Sequence, residues 1–184
     1  MACSSVSIPF TKKDVPDNIP TSCPQIGIVG DAKTISLFSD PSKTSDTHKI
    51  AHGEIDDFDG GCTYEDNKVF VDLDLFLDVK LGPKARVRDK DKATITVPYF
   101  VAIETPQGQV TAKEVFASVI KFKPDENQKT SVERLRQVVP MDDILMGPAY
   151  RIYVGFQLNQ AQLDYNRANK NLLENKSEDP RPSF

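Results

Sequence analysis

Residues 150–167 read YRIYVGFQLNQAQLDYNR, and how this stretch is read decides the fold. Tyr150, Ile152, Val154, Phe156 and Leu158 are apolar, with Arg151, Tyr153, Gly155 and Gln157 between them. A period of two marks a half-buried β-strand. At residue 159 the period changes. Asn159 is a good N-cap, Gln162 is placed to complete a capping box, and Leu158 and Leu163 hold the two positions of a hydrophobic staple. A core strand therefore turns directly into a terminal helix.

Working outward, the same alternation recurs. Val69, Val71, Leu73, Leu75, Leu77, Val79 and Leu81 share one face of a strand over 69–81, and Gly82-Pro83 ends it. Ile95, Val97, Tyr99, Val101 and Ile103 share a face over 94–103, where Pro98 predicts an edge strand or a bulge. A turn at 106–108 leads to a partner strand over 110–122, making a hairpin. Shorter strands are expected over 25–29 and 34–38, around a Gly30-Asp31 turn, and over 49–55. Residues 56–61 read as an acidic, glycine-ended turn, and 132–139 as a strand closed by Pro140. In the helix, Ala161, Tyr165, Ala168 and Leu172 form one stripe, expected to pack on the end of the domain.

Strands do not alternate with helices. The expected fold is all-β, an antiparallel immunoglobulin/fibronectin-like β-sandwich of about seven or eight strands with a C-terminal α-helix. Its divisions are a lipid-anchor site and Pro-rich tether over 1–24, the sandwich over 25–158, the helix over 159–173 and a disordered polar tail over 174–184.

The chain has 184 residues, 39% hydrophobic, and a net charge of −4. That balance argues against a broad nucleic-acid footprint, and no apolar run reaches the ~20 residues of a membrane helix. The three cysteines, Cys3, Cys23 and Cys62, are an odd number, so one pair leaves one over. The opening Met-Ala-Cys-Ser-Ser looks like a bacterial lipoprotein just after its lipobox, with Cys3 as the lipidated residue. The apolar segment that would precede it is not in the sequence, so Met1 is read as a truncated start. The alternative is a cytosolic protein with a free Cys3.

Cys23 and Cys62 are expected to form a disulfide in an oxidising compartment; the alternative is two buried thiols. His48 and His52 read as surface residues, too far apart on a strand to share a metal, so no metal site is expected. Asp56, Asp57, Asp59, Glu65 and Asp66 carry a second functional reading, a ligand- or calcium-binding module, although the EF-hand spacing is missing. GxSxG, Walker and GxGxxG motifs are absent, and without Trp a sugar-cleaving groove is poorly supported. No enzyme activity, catalytic residue or cofactor is expected. Lys84, Arg86, Arg88, Lys90 and Lys92 form a basic loop that reads as solvated, or as a contact for an anionic partner or lipid head groups.

Several segments together resemble a family of alphaproteobacterial lipoproteins: Cys23-Pro24, Gly61-Cys62-Thr63-Tyr64, Leu81-Gly82-Pro83, Pro98-Tyr99-Phe100-Val101-Ala102, Lys113-Glu114-Val115-Phe116, and Gly155-Phe156-Gln157-Leu158 through Tyr165-Asn166-Arg167. The resemblance implies a secreted, lipid-anchored, periplasm-facing domain and no particular activity. A longer tether here separates Cys3 from the domain than in many relatives. The functional expectation is a non-catalytic accessory or scaffold protein. It would be held by its N-terminal lipid on the periplasmic face of the envelope, and would bind another cell-envelope protein. Ser4, in place of Asp after the lipid site, points to the outer membrane. Gln157, Gln160, Asn166 and Arg167 are expected to touch the partner.

Overall fold

A computed structural model describes residues 22–88 and 90–177, with side chains through residue 170. The expectations for Cys3, for the rest of 1–21 and for 178–184 lie outside the described residues. Apolar alternation produces eight strands: β1 Gln25–Ile28, β2 Thr34–Phe38, β3 Lys49–Glu65, β4 Lys68–Leu81, β5 Ala93–Glu104, β6 Val110–Phe122, β7 Gln128–Pro140 and β8 Arg151–Phe156. The helix α1 spans Gln160–Ser177. Two four-stranded sheets result, ordered β1-β8-β5-β6 and β2-β3-β4-β7.

The sheets face each other across the apolar residues that the alternation singled out. Val69, Val71, Leu73, Leu75, Leu77 and Val79 of β4 meet Ile95, Val97, Tyr99, Val101 and Ile103 of β5, with Ile152, Val154 and Phe156 of β8, all buried. The described residues thus form a β-sandwich of eight strands with a C-terminal helix. The β5–β6 hairpin forms as expected, with Ala93 opposite Phe122 and a loop whose Gly108 takes φ +80°.

The connectivity departs from expectation in two ways. The order differs from the immunoglobulin arrangement, in which the first, second, fifth and fourth strands share a sheet. In addition, β1 pairs parallel with β8 rather than antiparallel. Parallel neighbours need a long connection, and here the whole domain supplies it. The Gly30-Asp31 turn does not close a hairpin. It is a 3-10 turn over Gly30–Ala32 that carries the chain from one sheet to the other.

Residues 56–61 are not a turn. They continue β3 through a bulge between Ile55 and Asp57, and pairing with β4 runs on to Glu65 opposite Lys68. The bulge resets the alternation, so that Phe58, Cys62 and Tyr64 pack toward the core. The reversal comes at Asp66-Asn67, both with positive φ, the backbone that a two-residue type I′ hairpin requires.

Pro98 is neither at a sheet edge nor in a bulge, for β5 is an inner strand. It sits where the β8 ladder ends. Tyr99 opposite Phe156 is the last pair, and Gln157 N donates to Pro98 O at 2.9 Å. The missing proline N–H cannot answer that bond, so β8 stops there and the chain leaves for α1. Helix α1 runs past the expected residue 173 to Ser177, since no breaker precedes Pro180.

A disulfide joins Cys23, just before β1, to Cys62 of β3, with a Cα–Cα distance of 5.6 Å and a sequence separation of 39. It links an edge strand of one sheet to an inner strand of the other. From chain entropy, a loop of this length is worth about 4 kcal/mol. Cys62→Ser should therefore lower unfolding free energy by about 3–4 kcal/mol in urea titrations. Adding reductant to the wild type should move its curve toward that of the variant.

Candidate functional site

Helix α1 lies along the seam where β1–β8 of one sheet approach β2 of the other. Its capping box forms as the spacing predicts: Gln162 N donates to Asn159 Oδ1, and Asn159 N donates to Gln162 Oε1, both at 2.9 Å. The face turned to the sandwich is not the expected stripe. Ala161 and Ala168 are exposed, while Gln162, Leu163, Tyr165, Asn166 and Asn169 are half-buried; the side chain of Leu172 lies outside the described set. Polar groups take the inner face because the edge they meet is polar. Gln162 Nε2 donates to Ser36 O at 3.4 Å, and Asn166 Nδ2 to Thr34 O at 2.8 Å and Asp31 O at 3.0 Å. These are carbonyls of β2 and of the preceding turn. Tyr165 adds an edge-on contact with Phe38, ring centroids 5.1 Å apart.

Docked in this way, α1 leaves a depression on each side. Toward the outer face of the β1-β8-β5-β6 sheet is a groove of about 580 Å³, lined by Phe100, Lys113, Gln157, Leu163, Arg167 and Lys170 among others. Its floor is tight. A Cβ on Gly155 would lie 2.9 Å from both Ala32 Cβ and the Phe100 ring, so only glycine lets the turn and the ring close over β8. Its rim is cationic. Lys113 Nζ lies 4.4 Å from the Phe100 ring centroid. Arg167 Nε donates to Asp31 Oδ2 at 2.8 Å, and this bond holds the Asp31 carboxyl below the usual carboxylate range.

The structure therefore brings Gln157 and Arg167 into one groove. Gln160 stands apart on the exposed helix surface, bonded to Asp164 at 2.8 Å. Asn166 faces inward under the helix, contrary to the exposure expected of it, because the two carbonyls it satisfies lie there.

On the other side of α1, sequence reasoning missed a small polar cluster. Ser36, almost fully buried, lies with Oγ 3.0 Å from His52 Nδ1. His52 is half-buried, not a surface residue, and its pKa is lowered by burial first and by the charge of Lys49 second. Lys49 Nζ donates to Asp46 Oδ1 at 2.8 Å and lies 5.9 Å from the Tyr165 ring. A Ser–His contact invites a catalytic reading, but the Ser36 side chain is almost fully buried; its bond fixes the ring orientation of His52. No signal in one sequence joins residues on two strands in this way. His48 closes a 3-10 turn over Asp46–His48 and is not on the strand with His52.

A second cluster lies on the opposite seam. Ser118 Oγ and Ser131 Oγ donate to Glu133 Oε1 at 2.6 and 3.0 Å. Tyr99, buried near the same carboxylate, has its pKa pushed up to about 12, by burial first and by Glu133 second. These hydroxyls satisfy a carboxylate between β6 and β7; no histidine is among them.

The acidic residues expected to bind calcium are strung along β3 and its turn. Alternate strand residues are about 6.7 Å apart, too far for several carboxylates to converge. Among the described residues, no three His, Cys, Asp or Glu side chains come together as one metal ion would require.

No protein-family model matches the chain, and no curated protein matches it.

Because the folded state holds His52 below its ordinary pKa, the unfolded chain binds a proton that the folded chain resists. This contribution to stability is complete above about pH 6.5 and is lost as pH falls through the lowered pKa. Proton NMR should show the His52 ring titrating below pH 6.5, and His52→Gln should flatten the fall in melting temperature between pH 7 and 5. An unchanged slope would mean that His52 carries no such linkage.

Proposed function

We propose that this chain is a non-catalytic, lipid-anchored scaffold on the periplasmic face of the bacterial outer membrane, and that it binds another envelope protein. The observation that carries this reading is the Cys23–Cys62 disulfide. Such bonds persist in oxidising compartments. With this pair made, Cys3 is the cysteine left over, and it stands in the lipobox-like Met-Ala-Cys-Ser-Ser. The resemblance to alphaproteobacterial lipoproteins points the same way. The disulfide also makes the end of the domain that follows the tether a covalently fixed point, as suits a domain held off a membrane.

The surface best suited to the partner is the groove beside α1. It joins an apolar floor at Phe100 and Leu163 to a cationic rim of Lys113, Arg167 and Lys170, and interfaces combine an apolar centre with a polar, charged edge in this manner. It fits a partner segment carrying both apolar and acidic side chains.

Two measurements test the reading. In cells, labelled palmitate should enter the protein and be lost in Cys3→Ser, which should appear in the soluble fraction. Label retained by Cys3→Ser, or none in the wild type, would end the lipoprotein assignment. For the groove, Arg167→Ala and Gln157→Ala should each sharply reduce recovery of a crosslinked envelope partner from native membranes. Their melting temperatures should stay close to that of the wild type, since Arg167 gives up one exposed ion pair and Gln157 one long bond of 3.5 Å to Leu158 O. Asn166→Ala should show the opposite balance, costing about 1–3 kcal/mol by leaving half-buried carbonyls unpaired. Undiminished partner recovery in the first two variants would remove the groove from the interface.

A further inference from the structure

We propose that the loop between β4 and β5, residues 82–92, is a docking surface for an anionic lipid bilayer. The proposal does not depend on lipidation of Cys3.

The loop carries an unusual side chain at its tip. Val87 is 95% exposed, more than any other large hydrophobic residue among those described. Arg86 and Arg88 flank it, with Lys84, Lys90 and Lys92 close by in sequence. Five cations face two carboxylates over residues 84–92, in a chain whose net charge is −4; one of those carboxylates, Asp89, lies outside the described residues.

The projection of this tip is built in. Arg86 donates to Asp91 O at 2.7 Å, Asn127 Oδ1 at 2.6 Å, Lys123 O at 2.8 Å and Glu126 O at 2.6 Å. Its guanidinium is used up in pinning the loop to the β6–β7 turn. Gly82 N and Lys84 N donate to Ile50 O and Lys49 O, at 2.7 and 3.0 Å, and fix the loop's entry. The Lys84, Arg88, Lys90 and Lys92 side chains have no partner among the described residues, so their charge faces outward.

Neighbouring acids are partly engaged. The Asp91 carboxylate accepts from Arg88 N at 3.1 Å, and that of Glu126 accepts from Lys123 N at 3.1 Å and lies 4.0 Å from Lys129 Nζ. Asp125 is exposed and opposes an anionic surface, as does Asp46, which shares a depression with Gly82 and Pro83 but is paired with Lys49.

An exposed apolar side chain with unpartnered cations close to it in sequence suits a bilayer better than a folded partner. A protein would need a concave, acidic socket with an apolar base. A bilayer surface provides anionic head groups over an apolar interior without any preformed shape. A soluble polyanion would use the cations and leave Val87 in water. The loop also lies at the opposite end of β4 from the hairpin at Asp66-Asn67 and the nearby disulfide. A contact here is therefore separate from the N-terminal attachment.

The test uses the full chain carrying Cys3→Ser, so that acylation cannot contribute. It should co-sediment with vesicles of phosphatidylcholine plus phosphatidylglycerol, not with phosphatidylcholine alone, and salt should release it. Arg88→Gln and Lys90→Gln should each weaken binding about fivefold. The chain has no tryptophan, so Val87→Trp supplies a single reporter, and its emission should shift to the blue on the anionic vesicles. Absence of binding to those vesicles would overturn the proposal. So would binding with no blue shift that soluble heparin abolishes, which would assign the loop to an acidic macromolecule.

Discussion

Two side-chain amides one helical turn apart hold the open side of this sandwich together. Gln162 and Asn166 donate to the carbonyls of Ser36 and Thr34 on β2, the edge strand of its sheet. The match is one of spacing. Residues four apart on a helix rise about 6 Å, and alternate carbonyls on a strand are separated by about 6.7 Å. The helix thus acts as a surrogate neighbouring strand, satisfying groups that would otherwise invite another chain. Much else follows from this seat. It buries the Ser36 hydroxyl against His52, brings Tyr165 onto Phe38 and defines the groove holding Gln157 and Arg167. The seat is in turn fixed by what precedes it: Pro98 ends the β8 ladder, and the Asn159–Gln162 capping box starts the helix three residues later.

This explains which parts of the fold could be read from the sequence. Strands such as β4 and β5 announce themselves because one face is buried against another sheet, and burial imposes alternation. The capping box is legible for a different reason: it is local chemistry between two residues three apart. Which strands share a sheet is set by pairings far apart in sequence, so neither the parallel β1–β8 contact nor the change of sheet between β1 and β2 had a local signature. The inner face of α1 was misread because hydrophobic periodicity presumes an apolar surface to pack on. Here the helix meets an edge of carbonyls, where Gln162 and Asn166 serve better than leucine. In the candidate site, Gln157 and Arg167 were visible as polar residues beyond the needs of the core, whereas His52 gained its partner only through strand pairing.

The acidic run after β2 shows the same edge problem solved differently. Pairing with β2 reaches no further than Glu54, leaving the next part of β3 without a strand on that side among the described residues. There the N–H groups of Phe58 and Gly60 donate to the carboxylates of Asp57 and Asp59, each at 2.8 Å. Side chains that occupy the backbone donors, and carry charge, blunt the edge against pairing with another chain. The same sheet face sets Asp59 directly opposite Asp74, an unfavourable like-charge pair. Arg134 and Arg136 on β7 offset it: Arg136 grips Asp72 through two bonds of 2.7 and 2.8 Å, and Arg134 stands 3.6 Å from Asp74. Aspartates that read as a turn or a cation site are thus the means by which an exposed strand stays unpaired.

The disulfide belongs to this account as well. Strand β1 has four residues and one neighbour, β8, and short pairings of this kind hold weakly by themselves. Yet β1 covers the outer edge of β8, whose other side is already paired to β5. If β1 frayed, the backbone groups of β8 would lie open beside the groove, next to the turn that seats α1. Tying Cys23 to Cys62 places the anchor just before β1 begins, where it most restricts fraying, and on a strand of the opposite sheet, so that the two layers are held together as well. Keeping this edge closed therefore depends on the Cys23–Cys62 bond staying oxidised. Groove, helix seat and β8 edge share that dependence, because all three meet at the segment that one covalent bond secures.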